Sequence, residues 1–479
     1  MLIADVILIL PELILTLFAS SALLWAVFAR NERVASALVW ITGLVMIGLG
    51  LLIGLATTGS GTAFNGAFVD DTFARFAKVV ILLSTALVLI TGHDFLVREG
   101  ILIFEYPVLV AFAVVGMMVM VSANDLIVLY MGIEMQSLAL YVLAAIHRDD
   151  ARSTEAGLKY FVLGALSSGI LLYGASFLYG FAGTTDFAGI AAAGADESNR
   201  TGLLFGMAFM IVGLAFKVSA APFHMWAPDV YEGAPTPVTA LIATAPKIAA
   251  IMVFARLLVD TIGVPAADWQ PVIAGIATIS MFLGAVAAIR QTNIKRLMAY
   301  SSIAHMGYAL IGLAAGTEQG LNAMVTYMVI YILMNVGTFA FIMSMRQNGR
   351  PVASIYALNR VSRHAPVTAL ALLLLLFSLA GIVPMIGFFA KLTVFTAAVD
   401  ADLVWLAIAG GLASVIGAYY YLRLVYFMYF GEEGTPLDSD VPRIGIVILV
   451  LAAGAMLVGV INLFGIPEFS SLAVDDLLQ

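Results

Sequence analysis

Apolar runs of about 18 residues or more recur from one end of this sequence to the other, each long enough to cross a hydrocarbon core of ~30 Å. No other feature narrows the choice of fold so far. In lipid the backbone must satisfy its own hydrogen bonds, which leaves helices or a closed barrel. The period-two alternation a barrel would need is absent. Only 11% of the residues are charged and 62% are hydrophobic, against about a quarter charged in ordinary soluble domains. The expected fold is an all-α polytopic membrane protein.

The runs divide into about fourteen transmembrane helices. Their connections alternate in charge. Those after spans 1, 3, 5, 9 and 11 hold Arg30 and Arg33; Arg98; Arg148 and Arg152; Arg290, Lys295 and Arg296; and Arg346, Arg350, Arg360 and Arg363. Those after spans 6, 8 and 12 are mainly acidic or neutral, with Asp186, Asp196, Glu197, Asp260, Asp268, Asp400 and Asp402. The positive-inside rule puts the first set on the cytoplasmic side and both termini on the other. The N-terminal stretch carries Asp5 and Glu12 and has no basic n-region, so it reads as a retained first helix. No basic run points to nucleic acid.

The chain reads as one transmembrane domain with internal repetition: a three-helix segment (1–100), a first five-helix repeat (101–260), a second (261–430), and a C-terminal helix and tail (431–479). Spans 4–8 and 9–13 form the two repeats, and an odd number of spans in each inverts the second in the membrane. Spans 7 and 12 are expected to be broken helices. Pro222 interrupts "GLAFKVSAAPFHMW" and Pro384 interrupts "SLAGIVPMIGFFAKLTVF", and proline removes a helix hydrogen bond. Paired broken helices in inverted repeats point to an ion site near the bilayer midplane.

Of the six lysines, Lys217, Lys247 and Lys391 fall in predicted membrane interiors. Each would cost ~2.5–3.5 kcal/mol or more if exposed to lipid. Lys159 and Arg256 lie near span ends, where snorkelling suffices. Glu134 is the only charge in "LIVLYMGIEMQSLALYVLAAI", with Ser137 and Tyr141 on its face at i+3 and i+7. In a low-dielectric interior, desolvation and pairing push the proton affinities of an ammonium and a carboxylate in opposite senses. Changing their separation would load or release a proton. The competing reading is a set of structural ion pairs inside the bundle.

His224 lies seven residues after Lys217, nearly on the same helical face, and is expected either to join the lysine or to bond carbonyls freed by Pro222. His305 has no formal charge within eight residues and shares its face with Ser301, Ser302 and Tyr308. It suits a proton relay, although buried histidines are often simply satisfied by neighbours. Both histidines could ligate a haem, but nothing else in the sequence suggests a cofactor. With no cysteine, this chain can hold neither a disulfide nor a cysteine-ligated zinc or iron–sulfur cluster. No metal site is expected.

The segment "KVSAAPFHMWAPDVYEGAPTPVTALIATAPK", with "IEMQSLALYVLAA" and "RQTNIKRLMAYSSIAHMGY", closely resembles the antiporter-like subunits of respiratory complex I, a family shared with Mrp-type cation/proton antiporters. The resemblance covers about residues 120 to 430. It implies a non-redox, proton-translocating subunit of an NADH:quinone oxidoreductase, driven by electron transfer elsewhere in the complex. By motif, Glu134 and Lys217 would be the charged pair, Lys247 the connecting lysine, His305 the central relay and Lys391 the exit-side lysine. NAD, FMN, iron–sulfur clusters and quinone would belong to partner subunits. The partners implied are neighbouring antiporter-like and small membrane subunits, in a bacterial inner membrane or, alternatively, a mitochondrial one. A stand-alone or Mrp-like Na⁺/H⁺ antiporter is the alternative function.

Overall fold

A computed structural model describes residues 2–29, 32–55, 60–261, 263, 265–440 and 442–478; Arg30 lies outside them. The chain opens with α1 (Leu2–Leu8), α2 (Leu10–Ala29) and α3 (Glu32–Leu55), then a hairpin of β1 (Gly61–Ala63) and β2 (Phe68–Asp70). Next come α4 (Thr72–Arg98), α5 (Glu105–Val121), α6 (Leu126–Ala144), α7 (Ala151–Ala182), α8 (Phe187–Ala193) and α9 (Glu197–Lys217). A broken region holds α10 (Trp226–Gly233), α11 (Thr236–Ile242) and α12 (Ala245–Arg256). The second half runs α13 (Ala266–Ile289), α14 (Ile294–Ala315), α15 (Glu318–Ser344), a short ribbon of β3 (Arg346–Gln347) and β4 (Arg350–Pro351), and α16 (Val361–His364). It closes with α17 (Pro366–Ala380), α18 (Ile386–Asp400), α19 (Val404–Phe430), α20 (Arg443–Val458) and α21 (Ile466–Leu478).

The all-helical expectation holds. Among the described residues, eleven helices are long and apolar enough to cross a membrane, or twelve if α20 and the sharply bent segment after it count as one. Two shorter apolar helices, α5 and α17, stand beside them. Many acids outside the bilayer interior have a local task. Asp71, Asp125, Asp150, Asp186 and Asp196 each accept a backbone N–H at a helix start, satisfying donors that the helix cannot satisfy itself.

The centre of the bundle is the span Thr236–Thr261, whose apolar window is fully buried, packed against α4, α5 and α15. The peripheral helices α2 and α19 bury only 28% and 33% of theirs, as lipid- or neighbour-facing helices would. α5 and α6 approach closely enough that a Cβ on Gly116 would lie 2.5 Å from the Gln136 backbone nitrogen. Only glycine permits that crossing, and it fixes the helix carrying Glu134.

The basic connections after spans 3, 5, 9 and 11 gather at one end of the bundle. His147, Arg152, Lys295 and Val352 line one polar cavity there, and Arg98 donates to Asp440 nearby. At the opposite end, Leu8 packs on Gly61, while Asp476 accepts from Ser60 Oγ at 2.8 Å and Thr72 N at 2.6 Å. Both ends of the chain therefore reach the same end of the bundle.

Candidate functional site

α9 stops at Lys217, and the chain turns through residues 218–225 before α10 begins. Ser219 takes a left-handed φ of 57°, so the helix cannot continue. This corrects the expectation for His224: it is not seven helical residues from Lys217 but lies in the turn, half-buried, with Nδ1 unpartnered. The carbonyls exposed by the break find other donors. Phe216 O accepts Trp226 Nε1 at 3.0 Å and Val218 O accepts Lys247 Nζ at 2.9 Å. Lys247 also donates to Ser219 Oγ at 2.5 Å and sits 5.1 Å from the centre of the Trp226 ring. α12, which carries Lys247, is itself set off from α11 at Thr244, a further interruption that the sequence reading did not anticipate.

The second break has the same logic. α17 ends at Gly381, whose left-handed φ lets its N–H return to Phe377 O and Ser378 O. The last carbonyls of that helix, Leu379 O and Ala380 O, accept Lys391 Nζ at 3.1 and 2.9 Å. Its third proton goes to Ser414 Oγ at 2.9 Å, and the ammonium lies 4.8 Å from the Tyr308 ring centre. Two buried lysines thus sit on carbonyls that two broken helices leave open, which answers the cost of an ammonium in the membrane interior. The prolines themselves, Pro222 and Pro384, lie exposed at the outer edges of their turns.

Lys217 is held differently. Nζ donates to Ser137 Oγ at 2.8 Å and to Ser168 Oγ at 3.3 Å. Glu134 and Lys217 make no ion pair within 4.0 Å, and Glu134 Oε1 is buried without a hydrogen-bond partner. Tyr141, one turn beyond Ser137, also keeps a buried, unpartnered hydroxyl. Among the described residues, none of Lys217, Lys247 and Lys391 makes an ion pair, so the reading of them as structural ion pairs is not met. All three ammoniums are held by neutral oxygens.

His305 lies at the centre of α14, 1% exposed. Its Nδ1 shares a hydrogen bond with Tyr327 Oη at 2.6 Å, and its Nε2 shares one with Tyr421 Oη at 3.0 Å. Ser301 Oγ meets Tyr421 Oη at 2.5 Å. Ser302 Oγ accepts from Tyr331 at 2.8 Å and Tyr231 at 3.4 Å. Tyr308 packs edge-on to the imidazole. Tyr308 thus meets the histidine directly, while Ser301 and Ser302 bond the tyrosines around it. Its partners from other helices were missed, although "TYMVIYI" places Tyr327 and Tyr331 four residues apart on one helical face.

The sequence reading missed one more interior charge. Lys78, 1% exposed, pairs with Glu12 at 2.8 Å and lies 3.8 Å from Asp70. Arg256 is also more than a snorkelling side chain: it is buried and binds both carboxylate oxygens of Asp71, at 2.9 and 2.7 Å. Lys159 does stand at a helix surface, paired with Glu155 and Asp229. Among the described residues no group of three or more His, Asp or Glu side chains could hold a metal ion.

A family model described as the transmembrane part of NADH:quinone oxidoreductase and Mrp antiporters matches residues 123–417, the region holding both breaks. The chain belongs to that antiporter-like family. Over 476 residues it is 57% identical to the NADH-quinone oxidoreductase subunit N of Rhodobacter capsulatus, covering 99% of each chain. It is 58% identical over 481 residues to that of Jannaschia sp. strain CCS1, again over 99% of each. A solved chain of respiratory complex I from Thermus thermophilus superposes with a TM-score of 0.82 at 29% identity, over 96% of this chain and 99% of that one. Within the family the chain groups with subunit N of NADH-quinone oxidoreductase, as a membrane subunit of that enzyme complex.

Proposed function

We propose that this chain translocates protons along a buried axis of Glu134, Lys217, Lys247, His305 and Lys391, driven by electron transfer in partner subunits. The observation that carries the proposal is that three buried ammoniums rest on neutral oxygens at or beside helix breaks. Among the described residues no ion pair locks them, so their protonation answers to the surrounding field, and a charge displaced nearby can load or discharge them. In this reading the turns at 218–225 and 381–385 leave carbonyls outside the helix ladder, and waters entering there would bridge the stations of the axis.

In this reading residues 101–260 and 261–430 are two five-helix units of opposite membrane sense, between an N-terminal segment (1–100) and a C-terminal one (431–479). Each unit contributes one broken helix and one lysine on its open carbonyls. The basic end of the bundle faces the bacterial cytoplasm and both termini face the periplasm, by the positive-inside rule. Neighbouring membrane subunits of the complex cover the apolar outer helices, and NAD, FMN, iron–sulfur clusters and quinone stay outside this chain.

The test is coupled turnover in membrane vesicles. Glu134→Ala and Lys217→Ala should cut proton pumping and NADH:quinone turnover while NADH oxidation by an artificial acceptor persists. Normal coupled activity in both variants would remove the proposed role. Sodium-dependent transport without NADH would favour a cation antiporter.

A further inference from the structure

We propose that Tyr421 and Tyr327 are proton-carrying partners of His305, making the histidine a through-relay that passes one proton and must then be reset. The inference rests on the proposed axis but concerns residues outside it. His305 has a tyrosine hydroxyl on each ring nitrogen, at 3.0 Å on Nε2 and 2.6 Å on Nδ1. All three side chains are at most 2% exposed. Beyond Tyr421 the line continues to Ser301 Oγ at 2.5 Å. Tyr327 packs against the ring of Tyr308, over which the Lys391 ammonium sits. One side of the imidazole is thus bonded through Tyr421 to Ser301, and the other to Tyr327, whose ring contacts the ring that the Lys391 ammonium covers.

This arrangement has a direction built into it. A neutral imidazole donates from one nitrogen and accepts at the other, and each hydroxyl can do both. Take Nδ1–H donating to Tyr327 and Nε2 accepting from Tyr421. A proton passed from Tyr421 Oη to Nε2 is replaced on Tyr421 from the Ser301 side. The Nδ1 proton moves to Tyr327 Oη, which releases its own proton through bridging water to the neutral-amine form of Lys391, the acceptor that the proposed axis supplies on that side. The ring is neutral again, now as the Nε2–H tautomer, and every bond in the line points the other way.

A second proton cannot follow in the same sense until the two hydroxyls and the imidazole have reoriented. The line therefore carries one proton per reset and resists continuous leakage. Buried surroundings make the reset demanding, because each group must keep a partner while it turns.

The test uses the assembled complex in inverted membrane vesicles, with Tyr421→Phe, Tyr327→Phe, Ser301→Ala and His305→Ala. Each tyrosine change removes one oxygen and keeps the ring. Ser301→Ala cuts the same line without touching an aromatic, so a tyrosine variant that fails to assemble does not end the test. The expected result is a fall in coupled proton pumping of at least twofold in both tyrosine variants, with artificial-acceptor NADH oxidation unchanged. Combining either with His305→Ala should add no further loss. The solvent deuterium isotope effect on coupled turnover should also change in the tyrosine variants, which a purely structural role would not produce. Full pumping and an unchanged isotope effect in Tyr421→Phe and Tyr327→Phe, with His305→Ala impaired, would overturn this inference and leave the axis standing. Full pumping in His305→Ala would overturn both.

Discussion

Gly381 and Lys391 share one small space at the break between α17 and α18. A Cβ on Gly381 would lie 2.9 Å from Lys391 Cδ and 3.1 Å from its Nζ, and Gly381 has a φ of +80°. An alanine here is strained by ~1–2 kcal/mol from the backbone alone, and it pushes the ammonium off Leu379 O and Ala380 O. Gly381→Ala should therefore lower coupled NADH:quinone turnover toward the level of Lys391→Ala. Gly411→Ala, where a Cβ meets nothing within 4 Å, is the control and should be silent. Normal turnover in Gly381→Ala would mean that the lysine is not needed in this position.

Ser137 and, at a longer distance, Ser168, rather than Glu134, are in direct contact with Lys217. A hydrogen bond to a charged group contributes about 1.5–3 kcal/mol, so Ser137→Ala should disturb Lys217 measurably even with Glu134 intact. Coupled turnover should fall several-fold, less than in Lys217→Ala, and Ser137→Thr should restore part of it. A silent Ser137→Ala beside an impaired Glu134→Ala would assign the lysine to the carboxylate alone.

The Glu12–Lys78 pair ties α2 to α4 away from the proposed proton axis. Removing one partner leaves a buried charge, which costs about 3–5 kcal/mol, whereas replacing both by apolar groups is far milder. Lys78→Met should lower the thermal survival of the assembled complex, and adding Glu12→Leu should recover much of it. Asp70, 3.8 Å from Lys78, limits the recovery. If the double variant is as unstable as the single one, the pair has another task.

At the basic end, Asp229 accepts from Lys159 at 2.8 Å and from Arg296 at 2.7 Å. Burial opposes its ionisation, but the bonds and charges of those two partners outweigh it and hold the carboxyl below its ordinary value. A lowered carboxylate stabilises the fold above its unfolded pKa, ~3.9, and that contribution is lost as pH falls through the folded value. Survival of the complex should be flat in this respect from pH 5 to 8 and drop in acid. Asp229→Asn should be less stable at pH 7 and show a shallower acid loss. Identical acid profiles would contradict the assignment.

The helical membrane fold was legible because apolar run length is a one-dimensional property, and so were the breaks at Pro222 and Pro384. The interior lysines were legible as isolated charges, and two of them, Lys247 and Lys391, do lie where irregular backbone offers oxygens. Lys78 escaped notice because its partner Glu12 lies in another span near the chain start, where both resemble interfacial charges. The separation at Thr244 is set by packing in the fully buried centre and has no turn residue to mark it beyond Pro246. The tyrosines around His305 come from α14, α15 and α19. No spacing within one helix could show that they converge, and the run "AYYYLR" gives no hint which ring points inward.

The most direct measurement is the number of protons pumped per electron in vesicles carrying Lys247→Ala. Lys247 lies between the two breaks in the fully buried central span, bonded to Val218 O. If protons cross along the buried axis, the ratio should fall below that of the unaltered complex while artificial-acceptor NADH oxidation is kept. An unchanged ratio in a fully assembled complex would contradict proton transfer through this chain's lysines.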